Sequence, residues 1–365
     1  MIPVANLYYL LCYAWDILPP RGQQPVAVEA DEPTAALGLL THLLSVGLQT
    51  RWRRGAPATF EVVETVGPHP RGQLQPGRLA RLPRAAALGY LPSRHQQITL
   101  ATPLHRLVAT ALRRALAAEP ALPLGLRRTA RAALAPLAAV ASLPAPTPAD
   151  VTAALRTLPP ADPAAHLLLR AAELLLLNLR PVRPTLDSQN PTPDPPAPFL
   201  RRFHDFRADD VQMGRVFEAF VRNFLRREQR VAAVSSDVLR WRGATATAPA
   251  ALPLLPVMRT DTTLTTPARR LVIDTKFYAR PLAGSRFEGT RLLAPHLYQL
   301  LAYLRNQSAA PGQRVEGLLL YPASAASGLL ALDYQLEGFR VQVRTLDLSA
   351  PWPHIRQALL ELVAD

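Results

Sequence analysis

Two short stretches hold the residues whose types and spacing suit chemistry. They are Val257-Met258-Arg259-Thr260-Asp261 and Leu271-Val272-Ile273-Asp274-Thr275-Lys276-Phe277-Tyr278. The second is β-branched and aromatic, the composition of a strand, with two charges inside it. The intervening Thr265-Thr266-Pro267-Ala268-Arg269 reads as a polar turn, so the two stretches are expected to be adjacent strands. Side chains alternate across a strand, which puts Asp274 and Lys276 on one face. Asp261 is expected near the middle of the preceding strand, and hairpin pairing would bring it to that face.

Two carboxylates and one ammonium at one point suit phosphodiester hydrolysis. Paired carboxylates bind a hard divalent cation such as magnesium and leave positions open for water and phosphate. Such a cation polarises the phosphoryl oxygen and helps generate hydroxide. An adjacent ammonium orients the attacking water and offsets charge in the transition state. The composition sharpens this reading. Of 41 Lys plus Arg, Lys276 is the single lysine. Lysine is a compact charge able to lose its proton, whereas arginine is a planar fork that keeps it.

Asp261 followed by Asp274-Thr275-Lys276 resembles the PD-(D/E)xK nuclease superfamily. Arg259-Thr260-Asp261 stands where the superfamily's name has proline. Met258-Arg259-Thr260-Asp261 with Ile273-Asp274-Thr275-Lys276-Phe277-Tyr278 more specifically resembles the McrC family, the nuclease subunits of McrBC modification-dependent restriction systems. The opening, Ile2-Pro3-Val4-Ala5-Asn6-Leu7-Tyr8-Tyr9-Leu10-Leu11-Cys12-Tyr13-Ala14-Trp15, resembles the start of that family. The resemblance implies a magnesium-dependent endonuclease acting on double-stranded DNA carrying a modified base such as 5-methylcytosine. It also implies a McrB-like AAA+ ring as partner, which binds GTP and whose hydrolysis this subunit stimulates. In the resembled fold a helix before the core strands often supplies an acidic residue, and Glu218 in Gly214-Arg215-Val216-Phe217-Glu218 matches that place. The implied metal ligands are therefore Asp261, Asp274 and Glu218. Gln299, one helical turn from Tyr303, corresponds to a glutamine recurring in several nuclease branches. Two other readings remain: a stand-alone nuclease of repair or transposition, and a non-catalytic adaptor that activates an NTPase.

The elements that must position these residues follow from composition and pattern. A chain of 365 residues with 49% hydrophobic content can fill two cores. A formal charge of +14 favours a polyanionic partner. Cys12 is the only cysteine, which excludes a disulfide framework and a cysteine zinc site. The apolar block Leu167–Leu179 contains Arg170 and Glu173 and is too short to span a bilayer. With no signal-peptide pattern at the N-terminus, a soluble cytoplasmic protein is expected. No Walker motif, nucleophile elbow or zinc helix occurs, so any nucleotide hydrolysis is expected to reside in a partner.

Periodicity predicts helices over 3–18 and 34–51, strands over 59–66 and 96–101, then helices from Pro103 to about Leu179. The basic stretch Arg71, Arg78, Arg81, Arg84, with Gly72 and Gly77, reads as a turn or extended hairpin. Prolines crowd residues 180–198 and cannot donate a regular ladder, so a boundary is expected there. The expected division is a partner-docking domain at 1–180, a linker at 181–199 and an endonuclease domain at 200–365. The latter should hold a helix over 209–229 capped by Asp209 or Asp210. Strands near 234–241, 253–264 and 270–278 should follow, then a helix over 290–306, strands at 314–321 and 339–347, and a final helix from 351. The expected fold class is α/β, α+β overall, with a central mixed sheet flanked by helices.

Overall fold

A computed structural model describes residues 2–17, 35–55, 59–159, 162–181, 201–247, 249–278, 282–285, 289–324 and 328–363. Packing divides the chain into two units: Met1–Glu29 with Asp205–Asp365, and Ala30–His204. In order, the elements are α1 (Val4–Ala14), α2 (Ala35–Arg53), β1 (Thr59–Gly67), β2 (Gln73–Leu74), α3 (Pro76–Leu79), α4 (Pro83–Ala87), β3 (Leu91–Thr99), α5 (Pro103–Leu116), β4 (Ala118–Glu119), α6 (Leu124–Leu134), α7 (Pro148–Arg156), α8 (Pro163–Asn178), β5 (Leu179–Pro181) and β6 (Arg201–Phe203). There follow α9 (Asp210–Glu228), β7 (Ala233–Ser235), β8 (Val238–Leu239), β9 (Met258–Arg259), β10 (Thr262–Thr265), β11 (Arg269–Thr275), β12 (Leu282–Ser285), β13 (Gly289–Leu292), α10 (Ala294–Asn306), β14 (Arg314–Pro322), β15 (Ala331–Leu336), β16 (Phe339–Leu346) and α11 (Trp352–Glu361).

The unit from Ala30 to His204 is a helical cluster carrying a ribbon. Leu37, Leu40, Leu44, Val108, Leu112, Leu169 and Leu175 fill its core, each fully buried. The ribbon pairs β1 with β3 antiparallel from Thr59↔Thr99 to Gly67↔Leu91. Both strands are largely exposed, Phe60 at 67% and its partner Ile98 at 66%. The basic stretch occupies the connection, where β2 and two short helices replace a simple turn. Gly72 has φ +73°, and a Cβ there would meet the Arg94 carbonyl, so this bend requires glycine.

The other unit is built on a six-stranded mixed sheet in the order β15-β16-β14-β11-β10-β7. β10 and β11 form the expected hairpin, Thr262↔Ile273 to Thr265↔Arg270, closed where Thr266 N donates to Arg269 O at 2.8 Å. β11 runs parallel to β14, and β14 parallel to β16. Alternation along β11 sends Leu271 and Ile273 to one layer with α9 and α11, and Val272 to the other with α10. α9 offers Met213, Phe217, Phe220, Val221 and Phe224, all fully buried, each contributing about 1.5–3 kcal/mol. Asp209 caps α9, its Oδ1 accepting from Val211 N and Gln212 N at 3.0 and 2.9 Å. α10 can lie close on β14 because Gly317 has no Cβ; one there would sit 2.9 Å from Leu300 Cδ2.

The expected domain division is corrected at both ends. The opening helix does not belong with residues 35–180. Leu10 and Tyr13 join the core of α9 and the sheet. Asn6 Nδ2 donates to Leu348 O and Ala350 O, both at 2.8 Å, and Asn223 Nδ2 donates to Tyr13 O at 3.0 Å. The proline-rich stretch is not the boundary either. It lies outside the described residues apart from Pro181, but its flanks, β5 and β6, pair antiparallel within one unit. The division falls instead between His204 and Asp205.

Candidate active site

Asp274 is the penultimate residue of the central strand β11. Alternation with Val272 turns it toward the α10 layer, and it is fully buried. Lys276 follows the strand's last residue, and its N–H extends the ladder by donating to Leu320 O at 2.9 Å. Its Nζ lies 3.1 Å from Asp274 Oδ1 and 2.9 Å from Oδ2. The same Nζ donates to Gln299 Oε1 at 2.9 Å, and Gln299 Nε2 donates to the Tyr303 hydroxyl at 2.7 Å. The helical spacing of Gln299 and Tyr303 thus delivers both to the lysine.

Asp261 does not lie mid-strand as expected. β9 ends at Arg259 and β10 begins at Thr262, so Asp261 sits in a bend between them. The cause is local. The buried Thr260 diverts the backbone into side-chain bonds: Asp237 N donates to its Oγ1 at 2.8 Å, and Ser236 Oγ donates to its carbonyl at 2.6 Å. Extending the hairpin register by one residue still sets Asp261 opposite Asp274. Its Oδ2 accepts from Thr275 N at 2.8 Å and Thr275 Oγ1 at 2.7 Å.

Glu218 comes near without joining the pair. Arg222 Nη1 donates to Glu218 Oε1 at 2.7 Å and to the Asp261 carbonyl at 3.0 Å. Among the described residues no three His, Cys, Asp or Glu side chains form a group that could hold a metal. The expected three-carboxylate set is therefore not assembled here; the guanidinium has taken up Glu218. Thr275 and Arg222 were not anticipated. Arg222 is signalled by its i,i+4 spacing from Glu218. Thr275 is not signalled, because alternation points it away from Asp274.

The electrostatics mark the cluster as strained in charge. Burial raises the Asp274 carboxyl to about 7, the Asp261 charge adds to this, and Lys276 only partly opposes it. Burial also raises Asp261, with Thr275 opposing and the Glu218 charge reinforcing. Burial alone would lower Lys276, but the Asp274 carboxylate outweighs it and holds the ammonium above its usual value. Asp274 Oδ2 has no well-directed hydrogen bond although it is fully enclosed. A buried carboxylate oxygen that meets the lysine ammonium only at a poor hydrogen-bond angle, beside the charge of a second carboxylate, fits a hard divalent cation. The residues that fit are Asp261 and Asp274. His296, one turn before Gln299, is structural: its Nδ1 lies 2.9 Å from the Tyr321 hydroxyl.

Comparisons with known proteins bear on this arrangement. No protein-family model matches the chain. Over 161 residues it is 31% identical to a protein of Escherichia coli (strain K12) described as type IV methyl-directed restriction enzyme EcoKMcrBC, a match covering 44% of this chain. The chain spans less than half of that relative's length, 45%. In structure it is similar to a chain of the refined half-complex from the tetradecameric assembly of Thermococcus gammatolerans McrB AAA+ hexamers with bound McrC. There the TM-score is 0.57 at 14% identity, over 99% of this chain and 76% of that one. Similar in sequence along part of its length and in fold along nearly all of it, the chain resembles the McrC-type subunits of McrBC restriction systems.

Proposed function

We propose that the chain is the metal-dependent DNA endonuclease subunit of a McrBC-like restriction complex, working with a GTP-hydrolysing AAA+ ring whose turnover it stimulates. The observation that carries the nuclease reading is the meeting of Asp261, Asp274 and the chain's single lysine at one end of the central hairpin. Asp261 and Asp274 would hold a divalent cation such as Mg2+, which supplies Lewis-acid polarisation of a phosphoryl oxygen. Lys276 is held by Asp274 and Gln299 where its ammonium can orient water and offset charge building on phosphate. Tyr303 fixes the Gln299 amide through its hydroxyl, so the amide oxygen faces the lysine.

The docking role falls to the unit from Ala30 to His204. Its β1–β3 ribbon exposes Phe60 and Ile98, and in the connection Leu74, Leu88, Arg71, Arg81 and Arg84 stand exposed. Arg78 is paired with Glu64. Guanidinium groups on a ribbon suit acidic or phosphate partners in a ring. The partner class follows from the similarity to the E. coli and Thermococcus proteins. The test combines full-length chain, the AAA+ partner, GTP, Mg2+ and methylated duplex DNA. Wild type should cleave, and Asp274→Ala should abolish cleavage while GTP turnover stays stimulated. Cleavage by Asp274→Ala would remove the site; stimulation without cleavage by wild type would make the chain an adaptor.

A further inference from the structure

A two-stranded arm leads directly into the bend that carries Asp261. β8 and β9 pair antiparallel, Val238↔Arg259 and Leu239↔Met258. Leu239 and Met258 are the buried members, at 9% and 6% exposure. Alternation therefore puts Val238, Arg240, Val257 and Arg259 on the outward side, and all four are exposed. Extending the register sets Arg240 opposite Val257, so the two guanidinium groups lie diagonally across the ribbon, a spacing long side chains bridge.

The arm's charge is one-sided. From Val238 to Thr260 the sequence has three arginines, Arg240, Arg242 and Arg259, and no acidic residue. Elsewhere in this unit arginines are commonly answered by carboxylates: Arg222 by Glu218, Arg227 by Asp16, Arg270 by Asp237 and Arg305 by Glu337. Arg240 and Arg259 have no such partner among the described residues. The arm is also held in place. Arg242 Nη1 donates to Gln307 O at 2.9 Å and Arg242 N to Asn306 Oδ1 at 2.7 Å, at the end of α10. Trp241 Nε1 donates to Pro256 O at 2.8 Å, tying the limbs together, and Thr260 N donates to Asp237 O at 3.0 Å at the root. Two exposed, unpaired arginines on an anchored ribbon have already lost their backbone freedom, so an anion gains them at little entropic cost.

Position decides which anion. Arg259 is two residues from Asp261, at most about 7 Å along the chain. Duplex DNA advances about 3.4 Å per nucleotide of one strand, so a guanidinium there stands within a few phosphates of any phosphate held at Asp261 and Asp274. We propose that the β8–β9 arm grips the DNA backbone beside the scissile phosphate, with Arg240 and Arg259 as its phosphate contacts. This rests on the nuclease reading above. Phosphate contacts position a duplex without reading its bases, so the arm contributes register at the cleavage point and no preference for the modified base.

The test is duplex-oligonucleotide binding by the full-length chain in EDTA, followed by fluorescence anisotropy across salt from about 50 to about 200 mM. Arg240→Gln and Arg259→Gln should each flatten the slope of log affinity against log salt by about 0.9, and the double variant by about twice that. The loss should be equal on methylated and unmethylated duplex. Arg259→Lys should keep the wild-type slope, because a phosphate contact needs the charge and not the fork. Asp274→Ala, run alongside, should leave the slope unchanged and lose only cleavage in the assembled complex. Unchanged slopes in both Arg→Gln variants, or no salt-dependent binding by wild type, overturn the proposal whatever Asp274→Ala does. A changed sedimentation of the variants with an unaltered DNA slope would assign the arm to a protein contact and also overturn it. Cleavage surviving in Asp274→Ala, with slopes falling as expected, would instead overturn the nuclease site alone.

Discussion

Removing the Asp274 charge should change how stability depends on pH, and the size of the change follows from its surroundings. Asp274 is fully buried, and burial with the neighbouring Asp261 charge raises its carboxyl from an ordinary 3.8 to about 7. A group whose folded value is raised binds its proton more tightly in the native state than in the unfolded one. Stability is then complete below the ordinary value and is lost as pH rises toward the folded value. At about 1.36 kcal/mol per pH unit, the window from 3.8 to about 7 corresponds to about 4 kcal/mol. Asp274→Asn keeps the shape and removes this titration. Urea unfolding of both proteins from about pH 4 to about pH 8 in EDTA should show wild type falling relative to the variant by up to about 4 kcal/mol. Any constant offset from the weakened Lys276 contact drops out, because only the difference in pH dependence is read. Added Mg2+ should recover the wild-type loss at pH 8 and do little for the variant, since a ligand that binds only the folded state stabilises it. Parallel curves for the two proteins would refute the claim that Asp274 is a destabilising buried charge.

Two further outcomes can be checked independently. Glu316 is 4% exposed at its side chain and holds Arg269 at 3.0 Å, with Arg314 and Arg340 at 3.6 and 3.8 Å. Glu316→Ala takes a buried carboxylate away from the 7% exposed Arg269 and should cost about 3–5 kcal/mol in urea unfolding. A loss under about 1 kcal/mol, the value of a surface pair, would mean that water reaches the pair. A fragment of residues 30–204 should stimulate GTP turnover by the AAA+ partner without cleaving DNA, whereas a fragment ending at 180 loses β6, the partner of β5. Stimulation by residues 205–365 alone would reverse the assignment.

The hairpin of β10 and β11 was legible because its signal is local: runs of β-branched residues on either side of a polar turn at Thr266-Pro267. α10 was legible for the same reason, through leucines at helical spacing. The bend at Asp261 was not, because it is made by hydroxyl bonds from Ser236 and Thr260 that leave no periodic trace. The expected strand over 253–264 broke where Pro253 and Pro256 remove donors; a 3-10 turn covers Pro249–Leu254, and only Met258–Arg259 pairs before the bend. β15 was missed because exposed positions Asp333, Tyr334 and Gln335 mask its alternation. At the site, the spacing of Asp274 and Lys276 carried their meeting. The capture of Glu218 by Arg222 depended on where the α9 face lands beside the Asp261 carbonyl. The place of α1 was least legible. An amphipathic helix shows that it needs an apolar partner and does not show which one, and here the partner is 200 residues away in sequence.

That distance sets a delay during synthesis. α1 leaves the ribosome before the helical unit, yet α9, β10, β11 and α11, whose residues share a core with Leu10 and Tyr13, are made only after it. At about 5–20 residues per second, the gap from Ala14 to Asp210 occupies on the order of ten to forty seconds. Through that interval the side chains of Leu10 and Tyr13 have no native cover, while the unit from Ala30 to His204 is itself being made and has every residue of its own core by the interval's end. The nascent chain therefore completes its helical unit first and keeps its opening helix waiting, open to holding chaperones, until the sheet that accepts it exists.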